Sequence, residues 1–217
     1  MNTTLTLPAG RDLLLALAGT IETNKTSLDE IDAATGDGDH GDNMAKGFQL
    51  AKTRLGDREP TVPEALALIG KTLLTDIGGS IGPIYGAFFI QMSLASRDKD
   101  LADPRTHAAM LSGALTGLSG SGNAKVGDKT IIDALAPAEA AYREAIAAGA
   151  TIPDALARMS EAADRGRDST KNLVARPGPG RAIRPGDHSR GVPDAGATSC
   201  ALILKTLARA FGASVNP

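Results

Sequence analysis

The sequence predicts an all-α fold, a single domain of eight antiparallel helices. Alanine and leucine dominate the 217 residues, aromatic residues make up only 3% of them, and runs of β-branched residues are rare. This composition favours helix over strand. Apolar residues recur at helical spacing in eight segments, which glycine- or proline-rich stretches separate. No early proline- or serine-rich linker divides the chain, so we expect one domain over residues 1–217.

The first four helices follow from these apolar stripes. They are predicted over Ala9–Ala33, over Asn43–Leu55, from Pro63 onward and from Pro83 onward. Proline suits the first position of a helix, so Pro63 and Pro83 mark two of the starts. The fourth helix is the most aromatic element, and we expect it to be a central one; its aromatic residues are Tyr85, Phe88 and Phe89.

The last four helices are predicted over Pro104–Leu118, Lys129–Ala148, Thr151–Lys171 and Gly196–Phe211. Asp194 precedes the eighth helix and can cap it. Cys200 lies on the presumed buried face of that helix, where we expect a core residue. No segment reads as a convincing strand.

In an up-and-down array of helices, alternate connections lie at the same end. The connections after the first, third, fifth and seventh helices are the glycine-rich ones. They are Asp32–Met44, Gly78–Pro83, Ser119–Asp128 and Arg176–Asp194. We therefore expect four special loops to converge at one end of the bundle, as a binding site requires.

Several function classes are disfavoured by composition. The net charge is −2 and no basic patch is present, which argues against nucleic-acid binding. A single cysteine, Cys200, excludes an internal disulfide and fits a reducing cytoplasm. We expect no signal peptide, and no apolar run reaches the roughly 18 residues that a membrane span needs.

The stretch from Asp32 to Met44, here called the acidic loop, carries the strongest chemical signal. Asp32, Asp37 and Asp39 are crowded together with glycines between them. Such carboxylates suit a hard cation, and the helix that follows offers N–H groups to a phosphate. The alternative is a solvated turn that caps a helix. An EF-hand is rejected, because its twelfth position would be Phe48 instead of glutamate.

Other motifs are less specific. The glycine-rich residues 78–82 can approach phosphate oxygens or simply end a helix. Residues 122–130 resemble a P-loop but fail its pattern, because Asp128 separates the glycine from Lys129 and no strand precedes them. Arg181 and Arg184 can clamp phosphate or remain solvated. His40 can contact a ligand or make a structural hydrogen bond.

Four motifs together resemble the L subunit, or L domain, of dihydroxyacetone kinases. They are Gly-Asp-Gly-Asp-His-Gly-Asp-Asn-Met (36–44), Gly-Gly-Ser-Ile-Gly-Pro (78–83), Gly-Asp-Lys-Thr (127–130) and Asp-Ala-Gly-Ala-Thr-Ser (194–199). The resemblance covers nearly the whole chain. It implies an eight-helix barrel with its nucleotide, ADP or ATP, at one end.

The resemblance also implies a set of site residues. Two Mg²⁺ ions would be held by Asp32, Asp37 and Asp39. The nucleotide would be lined by His40, Gly41, Asp42, Asn43, Met44, Gly79, Ser80, Ile81, Gly122, Thr130, Ile131, Arg181, Pro193, Asp194 and Ala195. Ile81 departs from the serine or other small residue that is common in the family, and the 176–191 loop is richer in proline.

The implied function is that of a kinase subunit in the cytoplasm, with no catalytic residue of its own. A separate K subunit would hold the ketose, dihydroxyacetone or another short ketose such as erythrulose. We expect the phosphoryl donor to be bound ADP that a phosphotransferase-system M protein rephosphorylates, and the alternative donor is ATP in free exchange. A second copy of the chain is a further implied partner. The alternatives are an ADP-loaded regulatory module and a helical carrier of an apolar ligand.

Overall fold

The structure is a computed structural model that describes residues 4–5, 7–119, 124–175, 189–212 and 214–215. These ranges contain eight α-helices in chain order, α1 to α8. Their bounds are Gly10–Ala33, His40–Leu55, Val62–Asp76, Ile81–Ser96, Pro104–Ser119, Ile132–Ala147, Ile152–Ser169 and Ala195–Phe211. A short 3₁₀ helix, Thr170–Asn172, directly follows α7.

The helices form a closed ring. Each one packs on the next in chain order, and α8 returns to pack on α1. The α3–α4 pair is especially close, because a Cβ added at Gly70 would meet the backbone of Ile90 and one added at Gly86 would meet Leu74. The predicted all-α fold of eight helices in an antiparallel barrel is confirmed.

Short polar residues fix where several helices begin. Thr61 and Glu64 form a capping box at α3, in which the Thr61 N–H donates to Glu64 Oε2 over 2.8 Å. The Thr151 side chain accepts from the Asp154 N–H at the start of α7. Asp194 caps α8, as the sequence predicts.

The core inside the ring is aromatic around α4. Phe89 packs edge-on against Phe48 of α2 and Phe88 of its own helix, with ring centroids 5.8 and 5.0 Å apart. The aromatic residues of α4 thus lie in the core, but α4 is not a central element, because it packs mainly on its two neighbours in the ring, α3 and α5. Cys200 is fully buried, as expected of a core residue, and burial raises the pKa of its thiol.

Two helices begin three residues away from their predicted starts, whereas the other six begin within two residues of theirs. Helix α2 starts at His40 instead of Asn43, because the Asn43 N–H already bonds the Asp39 carbonyl in helical register. Helix α6 starts at Ile132 instead of Lys129, because Lys129 has a φ of 61°, which a right-handed helix cannot contain.

The described residues also contain two strands that the sequence did not predict. Strand β1, Thr4–Leu5, pairs antiparallel with β2, Ser214–Val215. Two-residue strands are too short to show the alternation that identifies a strand in a sequence. Among the described helices, none has the length and apolar character that crossing a bilayer would require.

Candidate functional site

The starts of α2, α4, α6 and α8 meet at one end of the ring. The Nε2 atom of His40, the first residue of α2, lies 2.8 Å from the Ser199 hydroxyl of α8. Ser199 Oγ lies 2.5 Å from the Tyr85 hydroxyl of α4. A Cβ added at Gly196 would lie 3.5 Å from the amide nitrogen of Ile131, just before α6. The convergence predicted from the loops is present among the described residues.

The acidic loop folds its three carboxylates into one cluster. Asp32 lies in the last turn of α1, and Asp39 stands at the N-cap position of α2. One carboxylate oxygen from each of Asp32, Asp37 and Asp39 lies within 4.8 Å of the other two. The turn depends on Gly38, which has a φ of 83° and donates its N–H to Asp32 Oδ2 over 2.8 Å.

The cluster disfavours its own negative charge. Burial raises the pKa of Asp32 above its usual range, and repulsion from Asp37 adds to the shift, although the Gly38 N–H opposes it. Burial and repulsion from Asp37 likewise raise the pKa of Asp39. A cation placed among these oxygens would relieve the repulsion. Three carboxylates are the oxygen donors that Mg²⁺ prefers, so the residues present fit this ion.

His40 is buried beside this cluster. Burial lowers the pKa of its imidazole to about 4, although the charge of Asp37 opposes the shift. The ring is therefore neutral near pH 7. Its Nε2 bonds Ser199, so the structural role foreseen as an alternative is present, and it ties α2 to α8.

Gly41 and Asp42 continue the first turn of α2 and face α1. A Cβ at Gly41 would overlap the carbonyl oxygen of Lys25, so only glycine permits this approach. The Asp42 carboxylate pairs with the Lys25 ammonium over 2.5 Å, and its N–H donates to Asp29 Oδ1 over 3.0 Å. These two residues join α2 to α1 next to the cluster.

Asn43 and Met44 differ in what they can present to a ligand. The Asn43 side chain hydrogen-bonds the Asp39 carboxylate, so it supports the cluster. Met44 is completely buried and belongs to the core. In this structure Met44 is therefore closed to direct contact with a ligand.

The connection between α3 and α4 presents Gly79 and Ser80. Gly79 has a φ of 66° and open space where a Cβ would stand. Ser80 occupies the N-cap position of α4 without capping it through its side chain. Ile81, where the family commonly has serine, turns its side chain into the core.

The turn before α6 is organised by Asp133, which the sequence analysis did not single out. This buried carboxylate accepts from the Gly127 N–H over 2.6 Å and from the Thr130 N–H over 2.8 Å. The Thr130 hydroxyl in turn accepts from the Ile132 N–H over 3.2 Å. Asp133 therefore shapes the backbone that carries Thr130 and Ile131.

Lys129 is fully buried, and the sequence pattern indicated no functional role for it. Its Nζ lies within hydrogen-bond distance of the carbonyl oxygens of Thr170, Leu173, Ser189 and Val192, at 2.8, 3.3, 2.5 and 2.6 Å, so three N–H groups are shared among four acceptors. In a P-loop the lysine contacts phosphate. In this structure the Lys129 ammonium instead lies among backbone carbonyl oxygens. No sequence pattern reveals such a contact, since the carbonyls lie far along the chain.

The turn of Pro193, Asp194 and Ala195 leads into α8. Asp194 Oδ2 accepts from the Ala197 N–H over 2.8 Å, and the Asp194 N–H donates to the Thr170 hydroxyl over 2.9 Å. Both Asp194 and Ala195 are buried. A cavity of about 300 Å³ opens beside this turn, between α1, α7 and α8, with Pro193 in its lining. Gly122 and Arg181, also predicted for the site, lie outside the described residues.

Comparison with known families gives a match over most of the chain. Residues 34–209 fit the model of the DAK2 domain. The chain belongs to the DAK2 domain family. The family resemblance inferred from the four motifs is confirmed.

Several curated relatives in this family are kinases or kinase subunits. The chain is 32% identical over 188 residues to the ADP-binding subunit DhaL of a PEP-dependent dihydroxyacetone kinase from Listeria innocua, covering 86% of this chain and 88% of that one. The corresponding Escherichia coli subunit is 32% identical, with coverage of 87% and 89%. An L-erythrulose kinase from Pectobacterium atrosepticum is 34% identical over 91% of this chain, which spans only 32% of that protein.

A solved structure gives the same relation. The dihydroxyacetone kinase of C. freundii in complex with AMP-PNP and Mg²⁺ superposes with a TM-score of 0.70 at 25% identity. The match covers 96% of this chain and 35% of that one, so the DAK2 domain chain corresponds to about a third of the larger kinase.

Proposed function

We propose that this DAK2 domain chain is the nucleotide-binding, phosphoryl-donating subunit of a two-component kinase for a short ketose. The observation that carries the proposal is the cluster of Asp32, Asp37 and Asp39 at the start of α2, where three further helices also begin. Carboxylates for a cation stand there beside helix N-termini that suit phosphate.

Relatives of similar length support this assignment. The two DhaL subunits are named as ADP-binding, and the alignment spans 86–89% of both partners in each case. The structural neighbour contains AMP-PNP and Mg²⁺. Because these relatives of similar length are named as ADP-binding subunits, we place the ketose on a separate K subunit.

The proposed roles follow the geometry of the end loops. Asp32, Asp37 and Asp39 would hold two Mg²⁺ ions. Gly79 and Ser80 would approach the phosphates, since Gly79 has open space and the Ser80 hydroxyl does not cap α4. The turn around Thr130 and the turn around Asp194 would border the nucleoside.

Phosphoryl transfer needs position and charge neutralisation more than covalent help from the protein. Mg²⁺, when bound, would neutralise the β- and γ-phosphate oxygens and favour in-line transfer. The chain's part is to hold these oxygens near the acidic loop. None of its residues is assigned as the acid–base catalyst, so the group that takes the proton from the ketose hydroxyl would come from the K subunit.

The relatives and the structural neighbour point to two donors and two substrates. Relatives named PEP-dependent and PTS-dependent favour retained ADP that a phosphotransferase-system M protein rephosphorylates. The structural neighbour holds AMP-PNP, an ATP analogue, which favours a free ATP-dependent cycle. Relatives named erythrulose kinases favour a four-carbon ketose.

The test is reconstitution with a purified K subunit. One arm supplies ATP, and the other supplies phosphoenolpyruvate with the phosphotransferase proteins, each with dihydroxyacetone or erythrulose. Many turnovers with ATP would assign the freely exchanging cycle, and product only in the second arm would assign retained ADP. The absence of ketose phosphate in every arm, with an active L subunit of a relative as positive control, would overturn the proposal.

A further inference from the structure

We propose that Lys129 is a positioning residue for the nucleotide, acting as a fixed cation that holds together the two turns on the nucleoside side of the site. The inference rests on the proposed function. It assigns to Lys129 a role that does not include contact with phosphate.

The partners of the Lys129 ammonium support this role. The Lys129 ammonium lies among four backbone carbonyl oxygens, those of Thr170, Leu173, Ser189 and Val192. A buried ammonium is costly unless acceptors surround it, and hydrogen bonds to a charged group are stronger than neutral ones. Carbonyl oxygens converging on one cation therefore fix the segments that supply them.

These carbonyl groups come from both ends of the connection between α7 and α8. Thr170 and Leu173 follow α7, whereas Ser189 and Val192 precede α8. Lys129 itself belongs to the turn before α6. One side chain thus joins three parts of the chain that are separate in sequence.

Thr170 links Lys129 to the Asp194 turn, which is proposed to border the nucleoside. Thr170 accepts from Lys129 through its carbonyl and from the Asp194 N–H through its hydroxyl, over 2.8 and 2.9 Å. Asp194 then caps α8. The position of Lys129 is therefore transmitted to the Asp194 turn by two hydrogen bonds, and to Thr130 by the peptide bond.

The backbone conformation of Lys129 also supports this role. Its φ of 61° is a left-handed conformation that a lysine rarely adopts. Residues persist in such conformations when the surrounding contacts over-determine them, often at functional sites. Here the conformation aims the side chain into the carbonyls while the chain turns toward α6.

This geometry permits a specific substitution. Glycine adopts a φ of 61° freely, so Lys129→Gly should keep the backbone and remove only the side chain. Butylammonium has the same chain of atoms as the lost side chain and can re-enter the cavity. 1-Butanol is the matched uncharged control.

The experiment measures the Mg²⁺-dependent affinity and dissociation rate of a fluorescent ADP analogue. We expect Lys129→Gly to release the analogue at least about tenfold faster, which corresponds to about 1.4 kcal/mol. Affinity for Mg-pyrophosphate, measured by competition, should change much less, because the acidic loop is intact. Butylammonium should restore slow release, and butanol should not.

The control variant is Lys125→Met, which removes the same charge from an exposed position of the same turn. It should release the analogue at the wild-type rate. Equal loss of ADP and pyrophosphate binding, no rescue by butylammonium, or an unchanged release rate would each overturn the positioning role. An absence of nucleotide binding by the wild type would instead overturn the proposed function, so the two failures are distinguishable.

Discussion

Asp37 is the residue that both other carboxylates of the acidic loop respond to. Its charge contributes to the raised pKa of Asp32 and of Asp39. Without a cation this repulsion is unfavourable, and with one it becomes a source of affinity. The same side chain should therefore affect stability and binding in opposite directions.

Replacing Asp37 with Asn tests this expectation. Mg²⁺-dependent ADP affinity should fall by more than the roughly 10- to 100-fold that loss of an outer-shell metal partner costs. The melting temperature of the metal-free protein should stay the same or rise, because the repulsion is relieved. Calorimetric titration and thermal melts in EDTA measure both effects.

The control is Asp57→Asn, an exposed aspartate beyond the far end of α2. It should leave both quantities unchanged. Unaltered ADP affinity in Asp37→Asn would show that the cluster holds no metal used by the nucleotide.

His40 predicts a pH dependence of stability. Its pKa in the folded protein is about 4, below the unfolded value of 6.5. Between these values the unfolded chain binds the extra proton, so stability is full above pH 6.5 and declines as the pH falls toward 4. The loss should reach up to about 3 kcal/mol. In EDTA, denaturant unfolding of His40→Gln should show a flatter decline than the wild type, and parallel curves would contradict this account.

At the scale of elements, the close approach of α1 and α2 depends on Gly41. A Cβ there would meet the Lys25 carbonyl, so Gly41→Ala should destabilise the protein by about 1–3 kcal/mol. Gly19 lies exposed within α1 with no atom near its missing Cβ. Gly19→Ala should therefore stabilise by about 0.5–1 kcal/mol. Urea unfolding separates the two signs, and similar effects from both substitutions would contradict the packing argument.

The link between α4 and α8 depends on the Tyr85 hydroxyl, which bonds Ser199 and donates to the Gly196 carbonyl over 3.0 Å. Tyr85→Phe removes this hydroxyl from its buried hydrogen-bond partners, so it should lower the free energy of unfolding by about 1–3 kcal/mol. It should also weaken ADP binding, because α8 begins at the site.

Tyr142→Phe is the matched control, since its hydroxyl donates to Pro104, where α5 begins at the opposite end of the ring. It should lower the stability without changing the ADP affinity, as measured by melts and titrations on both variants. Equal losses of ADP affinity would indicate that any core defect reaches the site.

The elements were predictable because the evidence for them is local. Apolar stripes and glycine–proline breaks identify eight helices, and Asp194 was recognisable as a cap. The starts of α2 and α6 were misplaced for physical reasons. Gly41 is tolerated in a helical turn by its contact with α1, and the positive φ of Lys129 delays α6. Neither cause is visible in a local pattern.

At the scale of the whole molecule, the local part of the candidate site could be predicted from the sequence, whereas the contacts between distant residues could not. The carboxylates of the acidic loop lie within eight residues, so their cluster could be predicted from the sequence. The carbonyls around Lys129 and the His40–Ser199–Tyr85 contacts join residues that are far apart in the chain. These contacts exist only because the ring of helices closes, and a single sequence does not reveal them.

Binding of a magnesium nucleotide at this end of the molecule can be measured directly. The purified protein is heat-denatured and the released nucleotide is identified, and nucleotide-free protein is then titrated with ADP and ATP with and without Mg²⁺. The account predicts either near-equimolar ADP on release or Mg²⁺-dependent binding on titration, with saturating ligand raising the unfolding free energy. Finding neither a released nucleotide nor Mg²⁺-dependent binding would contradict the account and leave the acidic loop as a turn that caps α2.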